Sequence, residues 1–181
     1  MILYVNSCVR EGSRTHRIAK ALIQKLGGET EEVKLAEEMP APLTAERLQR
    51  RTEFIEKGDY SDPMFRLARQ FQAADVIVIA APYWDLSFPA VLKAYLENIY
   101  VTGLVSEYGA DGTPRGLCRA RKLYYVTTAG GPYLPDFSYD CIRTLATGCF
   151  GIPETELIKA EMLDVEGYDA EELIREAIEK L

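Results

Sequence analysis

Two rhythms of apolar residues alternate along this chain. Ile2 to Val5 (ILYV) and Asp75 to Ala81 (DVIVIAA) read as buried strands, and Lys122 to Thr128 (KLYYVTT) and Thr155 to Met162 as further strands. DVIVIAA is the clearest of them and has the continuous hydrophobicity of a parallel strand covered on both faces. Thr30 to Leu35 is half polar, as suits a strand near a sheet edge.

Between these runs the spacing changes to that of helices. His16 to Leu26 places Ile18, Ala19, Leu22, Ile23 and Leu26 on one face, and Gly27 and Gly28 end it. Met64 to Ala73, Phe88 to Val101 and Ser138 to Phe150 also read as helices, with Pro89 acceptable in a first turn. Asp169 caps a last helix, with Glu171 and Glu172 at the positive end of its dipole. Glu37 to Pro63 is a polar insertion, helical from Thr44 to Lys57 with Thr44 as N-cap. Gly103 to Gly116 reads as a loop.

Strands alternating with helices predict an α/β fold with a parallel sheet sandwiched between helical layers. A length of 181 residues suits one domain, residues 1–181, and 48% hydrophobic residues suffice for a core without staples. A net charge of −7 argues against a nucleic-acid or anionic-membrane partner. The cysteines Cys8, Cys118, Cys141 and Cys149 form no CxxC pair, and His16 is the only histidine, so no zinc site is expected. Scattered cysteines suggest a reducing cytoplasm. MILYV is too short for a signal sequence, and Val76 to Trp84 is interrupted by Pro82, far from a membrane span.

Sheets of this kind bind ligands beyond the carboxyl ends of their strands. Three loops lie there. NSCVREGSRT offers Ser7, Ser13 and Thr15 hydroxyls, arginines at Arg10 and Arg14, and the unpaired N–H groups of a helix start. Ser13 or Thr15 could equally be a plain cap. PYWDLSFPA sets Tyr83, Trp84, Leu86 and Phe88 at a loop tip between Pro82 and Pro89, bulk that calls for a planar ligand or a partner subunit. TTAGGPY allows close backbone approach at Gly130 and Gly131, with Tyr133 either a lid or a packed aromatic. Anion donors, a planar apolar surface and exposed backbone together describe a site for a phosphate-bearing aromatic cofactor such as FMN.

Three segments carry a family resemblance, covering Ile2 to about Ile158: APYWDLSFPAVLKAYLENIYVTGL, EYGADGTPRGL before a glycine-leucine pair, and TTAGG. With the serine-bearing first loop, the chain resembles the flavodoxin-fold NAD(P)H-dependent FMN oxidoreductases, in the quinone oxidoreductase and azoreductase branch. The resemblance implies a flavodoxin-like three-layer sandwich with strand order 2-1-3-4-5 in a homodimer. It implies that Ser7, Ser13, Arg14 and Thr15 hold the FMN phosphate and that Pro82, Tyr83, Trp84, Asp85 and Leu86 line the flavin. Thr128, Ala129, Gly130 and Gly131, with Tyr133 nearby, would face its pyrimidine side.

The implied activity is ping-pong hydride transfer from NADH or NADPH, through bound FMN, to a quinone, azo or nitro compound. No side chain stands out as a general acid. The family's usual Asn-Phe is Asp85-Leu86 here, and a carboxylate there should lower the flavin potential unless it points away. A flavodoxin-type electron carrier is the alternative, although its tight T-x-T-G-x-T loop is not matched by NSCVREGSRT. A receiver domain would need an acidic pair where Asn6-Ser7 stands, and a hydrolase a G-x-S-x-G elbow. Cys8, beside a helix start, could be a redox thiol or a small packed residue.

Overall fold

The structure is a computed structural model describing residues 1–181. Its centre is a wholly parallel sheet of β1 (Ile2–Asn6), β2 (Thr30–Lys34), β3 (Val76–Ala80), β6 (Lys122–Thr128) and β7 (Glu154–Ala160). Their spatial order is β2-β1-β3-β6-β7. The expected order holds, with the chain reversing direction across the sheet between β1 and β3. In register, Asn6 lies beside Ala80 and Ala80 beside Val126, so the carboxyl ends of β1, β3 and β6 share one edge.

Alternation along each strand feeds two separate cores. Leu3, Val5, Ile77, Ile79, Leu123 and Tyr125 face α4 (Arg66–Ala73), α5 (Ala90–Ile99) and α6 (Tyr139–Leu145), meeting Phe71, Tyr95 and Ile142. Ile2, Tyr4, Val78, Ala80 and Val126 face α1 (Arg14–Leu26) and α7 (Ala170–Glu179), meeting Ile18, Leu22 and Ile174. This double burial is why DVIVIAA shows no polar alternation. Each fully buried Ile or Leu contributes about 1.5–3 kcal/mol relative to exposure.

Four element boundaries move for local reasons. The first helix begins at Arg14, capped by Ser13, whose hydroxyl accepts the His16 N–H. The helix after β3 begins at Ala90, with Pro89 as cap residue rather than inside the first turn. The helix at 138–150 is regular only to Leu145, and a π-turn, Ala146–Phe150, carries the chain to Gly151 in a left-handed conformation. The last strand starts one residue early, at Glu154, and ends at Ala160.

The expected loop Gly103 to Gly116 instead contains a small antiparallel hairpin, β4 (Ser106–Tyr108) with β5 (Pro114–Gly116). Three-residue strands around a polar, glycine-bearing turn leave no period-two pattern to read. In the polar segment 37–63, α2 (Leu35–Glu38) ends at Glu38 and α3 (Ala45–Glu56) follows, capped by Thr44 as expected. α3 is anchored to α5: Arg47 donates to the Asn98 side chain, and Arg51 to the carbonyls of Glu97 and Tyr100. No helix is long and apolar enough to cross a membrane.

Candidate functional site

Beyond the shared carboxyl edge lies a cavity of about 440 Å³, walled by the loops that leave β1, β3, β6 and β7. Cavities of this size fall in the range of small-ligand pockets.

The first loop supplies the anion-facing wall. Gly12 takes a left-handed conformation, φ +71°, which turns the chain from β1 into α1 at no steric cost. Val9 through Thr15 line the cavity. Among them, the N–H groups of Arg14 and Thr15, at the start of α1, find no acceptor in the protein. With the helix dipole they form a ready anion site. Ser13 is both the helix cap and part of the cavity wall, so the two roles do not exclude each other.

Ser7 is different, and the expectation for it is corrected. It is fully buried; its hydroxyl donates to the Ala80 carbonyl at 2.8 Å, its own N–H to the same oxygen at 3.0 Å, and it does not line the cavity. A hydroxyl spent in this way splices β1 to β3 and has no proton left for a phosphate.

The second loop is a tight reversal. Trp84 and Ser87 exchange both backbone hydrogen bonds, at 3.0 and 2.8 Å, around Asp85 and Leu86 at φ 50° and 64°. Two positive φ angles define a type I′ turn, which aspartate tolerates and leucine resists. Pro82, Tyr83 and Trp84 line the cavity, whereas Asp85 and Leu86 sit at the exposed tip and do not. The Asp85 carboxylate therefore forms no part of the cavity wall.

The third loop contributes Thr128, Ala129 and Gly130. The Thr128 hydroxyl meets that of Thr15 at 2.6 Å, and its carbonyl accepts the Tyr83 N–H at 3.0 Å, so one residue ties all three loops together. Gly131 lies off the cavity, its carbonyl bonded to the Met162 N–H. Tyr133 is a packed aromatic and not a lid. Its hydroxyl meets Ser138 at 2.8 Å, and its ring stands edge-on to Tyr83, centroids 4.8 Å apart. Burial pushes its hydroxyl pKa up.

A fourth loop, after β7, escaped the sequence reading. Leu163 and Asp164 line the cavity, and Asp164 pairs with Arg14 at 2.8 Å. The available signal was topological: β7 ends at the same edge as its neighbours, so its loop had equal claim to the site. Glu11 and Val9 were likewise passed over inside the first loop.

Two further groups flank the lining segment of the first loop. The His16 ring accepts or donates at Nδ1 to the Tyr4 hydroxyl at 2.8 Å, and burial lowers its pKa. Burial also raises the Cys8 thiol to about 11, which keeps it protonated at neutral pH and disfavours the redox reading.

On and beside the second loop, Trp84, Leu86, Leu134 and Phe137 are exposed, and Ser87 Oγ donates to the Phe137 carbonyl at 2.7 Å, joining their segments.

A parallel sheet in this order, with an anion-binding helix start at its carboxyl edge, defines a protein of the flavodoxin-like class. The family model described as flavodoxin-like fold matches residues 1–181, and the chain belongs to that family. It is 37% identical over 193 residues to an FMN-dependent NADH:quinone oxidoreductase of Clostridium acetobutylicum, covering 99% of this chain and 94% of that protein. Among solved structures it is similar to an azoreductase from Bacillus anthracis, with a TM-score of 0.84 and 22% identity over 99% of this chain and 95% of the other. An FMN-dependent NADH-azoreductase of the same species, solved in complex with FMN, gives a TM-score of 0.82 and 20% identity over 99% and 94%. The structural likenesses establish the shared fold.

Proposed function

We propose that this protein is an FMN-dependent NADH:quinone oxidoreductase that also accepts azo and nitro compounds. The observation that carries the reading is the cavity itself, which joins the unpaired N–H groups of Arg14 and Thr15 to the aromatic wall of Tyr83 and Trp84. The relatives' names point the same way, and they name NADH as donor.

The residues present fit FMN. Ser13, Arg14 and Thr15 would hold the phosphate through backbone N–H, hydroxyl and guanidinium donors. Pro82, Tyr83 and Trp84 would border the ring, with Thr128, Ala129 and Gly130 approaching by backbone. FMN, when bound, supplies two-electron chemistry between NADH and the acceptor. The chain's own part is to orient and to polarise. The N–H of Gly130 has no acceptor within the protein and is placed to stabilise negative charge at the third loop. Protons come from solvent or from the Tyr83 hydroxyl, which accepts the Leu134 N–H at 3.4 Å.

NADH and acceptor would occupy one face in turn, giving ping-pong kinetics. The exposed apolar side chains of Trp84, Leu86, Leu134 and Phe137, on and beside the second loop, support a homodimer in which a second copy covers them. Four unpaired cysteines support a reducing compartment such as the cytoplasm. The reading is tested by titrating the purified protein with FMN and assaying NADH-dependent quinone and azo reduction; failure to retain flavin would remove its basis.

A further inference from the structure

We propose that Asp164 is a specificity-determining residue of the cofactor site, admitting a flavin that ends in a phosphate monoester and rejecting one whose phosphate is extended through an anhydride bond to a second phosphate. The inference rests on the flavin reading above and goes beyond it by assigning the selectivity to one side chain.

Asp164 is held in place from three directions. Met162, Leu163 and Asp164 donate their N–H groups to the carbonyls of Gly131, Ala129 and Gly130 at 3.1, 3.2 and 2.9 Å. These bonds sew a strap, residues 162–164, across the side of the cavity. To start it, Met162 adopts φ 66°, a left-handed conformation that side chains disfavour and that persists only where the surroundings impose it.

The second constraint is steric. A Cβ built on Gly130 would lie 2.4 Å from Asp164 Oδ2. Gly130 has no positive φ, so its lack of a side chain serves to seat this carboxylate. The third is electrostatic: Arg14 Nη1 donates to Asp164 Oδ1 at 2.8 Å. With side chains 38% and 70% exposed, such a pair adds little to stability. Its consequence is where it puts charge.

The cavity wall carries Arg10 and Arg14 against Glu11 and Asp164, a formal balance of zero. A terminal phosphate needs no surplus of side-chain cations here, because the α1 N–H groups receive it and Arg14 can be shared between phosphate and Asp164. A diphosphate-linked cofactor brings a second negative group into a wall whose side-chain charges already cancel. There it meets a carboxylate whose only cationic partner is already engaged. Like-charge contact of this kind is how a site discriminates against a wrong ligand.

The test is flavin-fluorescence titration of the full chain, as wild type, Asp164→Asn and Asp164→Ala, with FMN, FAD and riboflavin. Asparagine keeps the shape of aspartate and so guards against a misfolded variant. The expected result is wild-type preference for FMN over FAD by about tenfold or more, narrowed by roughly fivefold or more in both variants, with riboflavin affinity changed less than about twofold. A preference unchanged in both variants overturns the proposal. So does a parallel weakening of all three flavins, which would make Asp164 a strut for the strap alone. Wild-type protein that binds none of the three overturns the flavin reading itself, whereas FMN binding with an unmoved FMN-to-FAD ratio overturns only this inference.

Discussion

The hydroxyl oxygens of Thr15 and Thr128 lie 2.6 Å apart, joining the first turn of α1 to the last residue of β6 across the floor of the cavity. Thr15 is buried and Thr128 half-buried, so this contact is partly shielded from water. The phosphate-facing and ring-facing halves of the site are thereby fixed relative to each other.

Replacing Thr15 with Val keeps the shape and removes the bond. Chemical denaturation should show a loss of about 1 kcal/mol, the usual net value of such a hydrogen bond. FMN affinity should fall several-fold. Full stability with full affinity would show that the two loops are held by other contacts.

The two serines of the first loop should separate cleanly. Ser7→Ala loses the bond to Ala80, yet that carbonyl keeps the Ser7 N–H, so the cost should be about 1 kcal/mol with FMN affinity intact. Ser13→Ala loses a helix cap, also about 1 kcal/mol, and should weaken FMN binding as well. Weakened binding on replacing Ser7 would restore the direct role that its sequence position suggested.

Those serines show where the sequence is legible and where it is not. DVIVIAA and HRIAKALIQKL declare their elements because burial on one or two faces imposes a period on every residue. The parallel sheet and the three loops follow from that pattern, whereas the strand order came with the family resemblance. A hydroxyl in a loop carries no such mark: Ser7 and Ser13 look alike until the register of Asn6 beside Ala80 turns one inward. Tyr133 is ambiguous for the same reason, since its packing partners Tyr83 and Ser138 come from separate segments. Asp164 is one of four carboxylates between Glu161 and Asp169, with nothing local to single it out, and its partner Arg14 stands 150 residues away in the chain.

The adjacent glycines should respond differently to the same change. Gly130→Ala drives a methyl into Asp164 Oδ2, the end of a largely exposed side chain that must turn aside from Arg14, with an expected loss of about 1 kcal/mol in thermal or chemical unfolding and weaker flavin retention. Gly131→Ala meets nothing within 4 Å and should stay within about 0.5 kcal/mol of wild type. Equal effects would mean that the strap does not press on Gly130.

Cysteine labelling offers a check on the first loop. Thiolate is the reactive form, and a Cys8 thiol raised to about 11 is overwhelmingly protonated at neutral pH. Its alkylation should be slow near pH 7 and accelerate as pH climbs toward 11, while exposed Cys141 is modified first. Peptide mass mapping at two pH values would show the order; early labelling of Cys8 at pH 7 would reopen a redox role.

The central claim is that the cavity at the carboxyl edge holds FMN and uses it with NADH. Purified protein incubated with FMN, freed of excess and mixed anaerobically with NADH tests this directly by the flavin absorbance. The account expects one FMN per chain, bleached by NADH and restored by a stoichiometric quinone. Protein that emerges without flavin, or whose bound flavin NADH leaves oxidised, would contradict it.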